Sequence, residues 1–223
     1  MPAPATSSKS PHLTLVRRAA SPAPDDAALA RAIAERDDAA LAAVWDRYAS
    51  LVRGLLRRSL GPGFDVEDLL QETFLSLFRE APNIREPAAL RSFLVGIAVR
   101  NARSAIRRRK LRRWLMLTET GALPDAPEED VDEDAREALA RLYALLDQLD
   151  EKGRMLFVLR HVEGLELTEV AAAMGASLAT VKRHLAKVTT RVRAMAARDP
   201  VLLTYLGEPR PDDEAPVEEN SHG

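Results

Sequence analysis

Cysteine is absent from this chain, which removes disulfides, thiolate metal sites and cysteine nucleophiles together. Aromatic residues are scarce, at 4% of 223. No run approaches the roughly eighteen apolar residues that a membrane span needs. The opening stretch, MPAPATSSKSPHLTLVRRAASPAPDD, carries no signal-peptide core, because LTLV is far too short. Glycine-rich phosphate loops are missing too; the glycines fall singly or in the Gly61-Pro62-Gly63 turn. His12, His161, His184 and His222 lie far apart and in no metal-ligand spacing. The carboxylates of Glu128 to Asp134 form a solvated run, without the rigid placement and raised pKa of a catalytic pair. The expectation is therefore no catalytic residues, no metal and no cofactor.

Charge of either sign is plentiful, and it is segregated. The net charge is only −2, yet eight of the fourteen residues from Arg100 to Arg113 are Arg or Lys and none is acidic. From Glu119 to Glu137 nine residues are Asp or Glu against one Arg. The sum hides a basic patch and an acidic segment, so local sign is the better guide to partners.

Apolar residues recur at helical spacing throughout, and no segment alternates as a strand does. The fold class predicted is all-α: two small helical domains joined by an acidic flexible linker, the C-terminal one with a helix-turn-helix. The boundaries follow composition. Residues 1–24 read as a disordered arm, 25–113 as the first helical unit and 114–135 as a linker extended by self-repulsion. Residues 136–198 read as the second unit, ended by Asp199-Pro200, and 199–223 as an acidic tail. Within the first unit, Arg36–Asp38 breaks one helix from the next, and Asp65 reads as the cap of DVEDLLQETFLSLFRE. Leu70, Phe74, Leu77 and Phe78 form that helix's buried face. A unit of about sixty residues buries only about 60% of its extended surface, so docking on a partner should matter to both.

The stretch Gly164 to Met195 holds the sharpest signal. Val181, Leu185, Val188 and Val192 fall on one helical face, while Lys182, Arg183, His184, Lys187, Arg191 and Arg193 point elsewhere. Gly175 suits a left-handed helix end and Ser177 suits the cap of the next helix. Short helix, glycine turn and basic second helix are the sequence form of a helix-turn-helix.

Three features then coincide in order: DVEDLLQETFLSLF, an FLVGIA helix running into RRRK, and LTEVAAAMGASLATVKRHL after an acidic linker. Together they resemble bacterial RNA polymerase sigma factors, specifically the small two-domain extracytoplasmic-function branch (group 4). The resemblance implies a non-enzymatic, cytoplasmic subunit that binds core RNA polymerase and directs promoter recognition and transcription initiation. Asp68, Gln71, Glu72 and Leu75 match the helix that docks on a coiled coil of the β′ subunit; the β subunit is an implied partner as well. The loop Asn83–Ala89 matches the region that captures an unstacked base. Arg100, Arg103, Arg107, Arg108, Arg109 and Lys110 would grip phosphates beside the melted strand. Ser177, Ala179, Thr180, Lys182, Arg183 and Lys187 would face the upstream promoter element, with Arg183 on a base edge and Lys182 and Lys187 on phosphates. Promoter DNA and an anti-sigma factor complete the implied partners, with no membrane insertion. The chain departs from the family pattern at Phe93 (often Trp), Arg100 (often Asn, with Asn101 one place late), Ser104 (often Asp), Glu166 (often Ser or Thr) and Arg183 (often Ser), so no base preference is carried over. Two other classes stay open. One is a helix-turn-helix regulator that is not a polymerase subunit; the other is a helical protein that sequesters a second factor.

Overall fold

A computed structural model describes residues 25–84, 86–115 and 133–205. The N-terminal arm, Arg85 of the loop Asn83–Ala89, most of the acidic linker and the tail from 206 lie outside the described residues. Those that are described form helices and turns without a strand.

The first unit holds α1 (Asp26–Ala34), α2 (Asp38–Leu60), α3 (Glu67–Glu80) and α4 (Leu90–Leu115). Asp25 caps α1 by accepting from the Ala28 N–H at 2.6 Å, and Asp37 caps α2 through Ala39 at 2.9 Å. Between them Arg36 takes φ 63, which separates the two helices where the sequence reading placed the break. The α3 cap differs from expectation. It falls at Val66, and Asp65 instead accepts from the Glu67 N–H at 3.0 Å, one place further on. Val66 is buried, so packing fixes the helix start and Asp65 satisfies a free amide from outside it. Leu70, Phe74 and Leu77 are buried and Phe78 half-buried, with Trp45 and Phe74 rings 4.7 Å apart.

The second unit holds α5 (Glu133–Leu146), α6 (Glu151–Phe157), α7 (Leu167–Met174), α8 (Leu178–Ala196) and α9 (Pro200–Tyr205). A wide turn over Val158–Val162 follows α6, closed by the Glu163 N–H on the Val158 carbonyl at 2.9 Å. Two expected boundaries move. Helices α4 and α5 reach into the range 114–135 from either side, and α9 extends the second unit past Arg198. The pair read as a stop is in fact a start. Asp199 accepts from the N–H groups of Val201 (3.0 Å) and Leu202 (3.4 Å), and Pro200 takes the first helical position, where its missing N–H costs nothing. Leu202 is buried beside Leu145, Leu146 and Val192.

Two cores result, and the larger one is shared. Met155, Leu156, Leu159, Val170, Ala171, Ala173, Val181 and Leu185 of the second unit pack into the same core as Leu56, Leu94, Ile97 and Ala98 of the first. The lobes read as tethered thus lie against each other, and neither has to bury its apolar surface alone. At the edge of this contact Gly61 takes φ 87, and a Cβ there would come within 2.8 Å of the Tyr143 ring.

Burial and a hydrogen bond to Asp26 push the Tyr48 hydroxyl up to about 12, from an ordinary value of 10.0. The folded chain therefore holds this proton where the unfolded chain has lost it. Tyr48's contribution to stability should be complete below about pH 10 and fall away between there and about pH 12. Urea midpoints measured across that range should show Tyr48→Phe with a shallower decline than the wild type.

Candidate nucleic-acid interface

Helix α7 ends on Gly175 at φ 61, ψ 39, the left-handed geometry that its missing Cβ permits. The Ala176 N–H then bonds back to the Ala171 carbonyl at 3.0 Å. Ser177 accepts from the Thr180 N–H at 3.2 Å and starts α8. Glu166, which stands where a hydroxyl residue is usual, opens α7 by another route: its N–H donates to the Glu169 carboxylate at 2.9 Å. Val181, Leu185 and Val192 are buried and Val188 half-buried. That packing turns Ser177, Ala179, Lys182, Arg183 and Lys187 fully outward and leaves Thr180 half-buried. Ser177 thus caps the helix, and the other five expected recognition residues lie within its first ten positions.

The arginine track divides by helical geometry. Arg100, Arg103, Arg107 and Lys110 follow at steps of three, four and three, so they form one stripe of α4. Arg100 pairs with Glu80 at 2.8 Å inside the first unit. Arg107 reaches Glu151 at 3.6 Å, and Lys110 donates to the Leu149 carbonyl. Arg103 is half-buried against the second unit, with Arg58–Glu163 and Arg91–Glu169 pairs also crossing the contact. Arg108 is exposed and Arg109 half-buried on other faces. Asn101 serves packing: its amide donates to the Thr73 hydroxyl at 3.1 Å, joining α4 to α3.

Asp68, Gln71, Glu72 and Leu75 share one exposed side of α3 and line a shallow groove with Arg79. Leu75 is 61% exposed in the midst of these polar groups. Arg79 was not among the expected residues, although its place four after Leu75 puts it on the same face. The buried cation Arg154 was missed as well. It is 2% exposed, donates to the Ser59 carbonyl at 2.7 Å and to Asp147, and lies 5.8 Å from the Tyr143 ring centre. Among the described residues no group of His, Asp and Glu could hold a metal ion.

This architecture defines a class: an all-helical DNA-binding protein of two units, one with a basic helix-turn-helix and one with a polar, leucine-centred helix face. A family model described as Sigma-70 region 2 matches residues 44–112, and one described as Sigma-70, region 4 matches residues 139–189. The chain is similar to the ferric citrate uptake sigma factor FecI of Escherichia coli (strain K12), with 36% identity over 142 residues, 61% of this chain and 79% of that protein. Among solved structures it is similar to CnrH in complex with the cytosolic domain of CnrY. The TM-score is 0.56 and the identity 23%, over 78% of this chain and 98% of that one. It is also similar to the sigma factor RpoE in complex with the anti-sigma factor NepR from Bartonella quintana, with a TM-score of 0.51 and 20% identity, over 70% and 95% of the two chains. At such identities the structural likeness carries the fold alone. The chain belongs to the sigma-70 family, in its extracytoplasmic-function branch. It is a promoter-recognition subunit of RNA polymerase, and members of this family are not enzymes. Among the described residues no helix is long and apolar enough to cross a membrane.

Proposed function

We propose that this sigma factor divides promoter engagement between its two units. Asp68, Gln71, Glu72 and Leu75 dock on the β′ coiled coil of core polymerase, beside the β subunit. The loop Asn83–Ala89 and the start of α4 take an unstacked base, and Arg100, Arg103, Arg107, Arg108, Arg109 and Lys110 hold phosphates of the parted strand. Ser177, Ala179, Thr180, Lys182, Arg183 and Lys187 meet the upstream duplex. The observation that carries this reading is the α3 face, where Leu75 stands exposed among acids and an amide with nothing among the described residues to cover it. Such a face suits a protein partner better than solvent.

Arg103 and Lys110 are half-buried against the second unit, so the units must part before these two cations reach a phosphate, whereas Arg107 is exposed already. Polymerase and promoter would select the parted form through their greater affinity for it. The tether then keeps the second contact at high effective concentration. An anti-sigma factor would act in the opposite sense by favouring the apposed form, and the solved complex of RpoE with NepR shows that a protein of this fold accepts such a partner. The work belongs in the cytoplasm, where polymerase and chromosome are.

Run-off transcription with core polymerase on a genomic DNA pool tests the whole reading. Discrete new transcripts should appear with the chain added; selectivity equal to core enzyme alone would overturn it. A finer test separates base reading from phosphate holding. Arg183→Ala should lose about 1–3 kcal/mol of discrimination at one upstream position, with the salt dependence unchanged. Lys187→Ala should weaken all sequences alike and reduce the salt slope by about 1. Equal and uniform losses from both variants would remove the division of roles.

A further inference from the structure

The contact between the units is not filled. A cavity of about 280 Å3 lies between α4 and the helix-turn-helix, near the lower end of the range for small-ligand pockets, about 300–1,000 Å3. Arg103 enters it from the first unit; Lys152, Thr180 and His184 come from the second, with Leu156 and Val181 among its apolar walls. No carboxylate is among the residues that line it.

Arg103 differs from its neighbours on the same stripe. Arg100, Arg107 and Lys110 each have an acceptor in Glu80, Glu151 or the Leu149 carbonyl. The Nε of Arg103 is buried and has no acceptor among the described residues. A buried guanidinium N–H without a partner is costly, and native structures rarely leave one. The Arg103 side chain brings its positive charge to a cavity wall that holds no carboxylate.

We propose that this cavity binds a small organic phosphate monoester, which bridges the two units and holds them together. Arginine's fork matches the oxygens of a phosphoryl group, and Lys152 adds a second, compact charge. A phosphoryl group of nearly two negative charges balances the two cations, whereas a carboxylate balances only one. The Thr180 hydroxyl and a His184 ring nitrogen offer further hydrogen bonds, and Leu156 and Val181 give an apolar surface for the organic part. Since the walls come from both units, the site exists only while they are apposed. A ligand at a hundred times its Kd would shift the balance between apposed and parted forms about a hundredfold toward the former. The ligand would thus act as a brake on promoter engagement, a role that rests on the reading above; the binding itself does not.

Phenyl phosphate is a suitable probe, titrated calorimetrically into the full chain at constant ionic strength. One saturable site per chain is expected. Arg103→Gln and Lys152→Gln should each weaken it at least tenfold, while Arg31→Gln, on the exposed side of α1, should leave it intact. Because the chain has no cysteine, dyes at Arg57→Cys and Arg193→Cys report the separation of the units directly. Phenyl phosphate should narrow that distance distribution, and matched sodium sulfate should not. No saturable binding, equal binding by Arg103→Gln, or the same response to sulfate would each overturn the proposal. These readouts need neither polymerase nor promoter, so the site can fail while the sigma-factor reading stands, and the converse.

Discussion

Arg154→Ala should lower stability by about 3–5 kcal/mol, the usual cost of breaking a buried charged pair from one side. Against a total of about 5–15 kcal/mol for a typical domain, that is a large loss. The guanidinium reaches across from α6 to the Ser59 carbonyl in the last turn of α2, where unbonded carbonyls and the negative end of the helix dipole meet. Burial lowers its pKa from the ordinary arginine value, and Asp147 works against that shift. Removing it strands the Asp147 carboxylate and a buried carbonyl together. Arg154→Met, whose long apolar stem fills the buried space that alanine leaves empty, should cost less than half as much, although both variants leave Asp147 without its cation. Urea denaturation of both variants gives the comparison. The alanine variant should also be cut faster by protease between the units. Arg103, Arg107 and Lys110 would be released with it, so its binding to non-specific duplex should tighten and depend more steeply on salt. A wild-type urea midpoint for Arg154→Ala would sink the account of this contact.

Local features were legible in the sequence because local rules govern them. Gly175, Ser177 and the spacing of Val181, Leu185 and Val192 each state a backbone or packing need within one turn, and the structure uses each as read. The shared core was not legible. An apolar face on α6 or α7 shows that something covers it, and says nothing about whether the cover is its own unit or the neighbour. Arg154 is hidden for the same reason, since a cation inside GRMLFVL reads as a snorkelling surface residue until a helix end from elsewhere is placed above it. Asp199-Pro200 shows a different failure. Asp followed by Pro can end one helix or cap and begin another, and only the burial of Leu202 decides between them. At the candidate site the helical spacing of the basic stripe was legible in the sequence, but the pairing of the stripe was not. That Arg107 and Lys110 meet Glu151 and the Leu149 carbonyl depends on how the two units sit.

The double substitution Gln71→Ala with Glu72→Ala should abolish capture of core polymerase, with at least a tenfold loss in affinity, and Leu75→Ala alone should cost a similar amount. A leucine ringed by polar groups has the geometry of an apolar anchor from which a rim excludes water, although leucine fills that role less often than tryptophan, tyrosine or arginine. Truncating a hot-spot anchor costs about 2 kcal/mol or more, and each 1.4 kcal/mol is a factor of ten. In the free chain these side chains are exposed and make no contact with either core, so thermal stability should stay within the small range typical of surface changes. The contrast is the useful part. Arg154→Ala should hurt the fold and release the cations on α4, whereas the α3 variants should leave fold and DNA affinity alone and remove polymerase. Non-specific duplex binding measured on the same preparations supplies the control. Polymerase recovery equal to wild type in the double variant would show that α3 is not the docking face. Loss of polymerase together with loss of DNA affinity would mean the substitutions had disturbed α4 through its packing on α3, and that the exposed leucine has some other purpose.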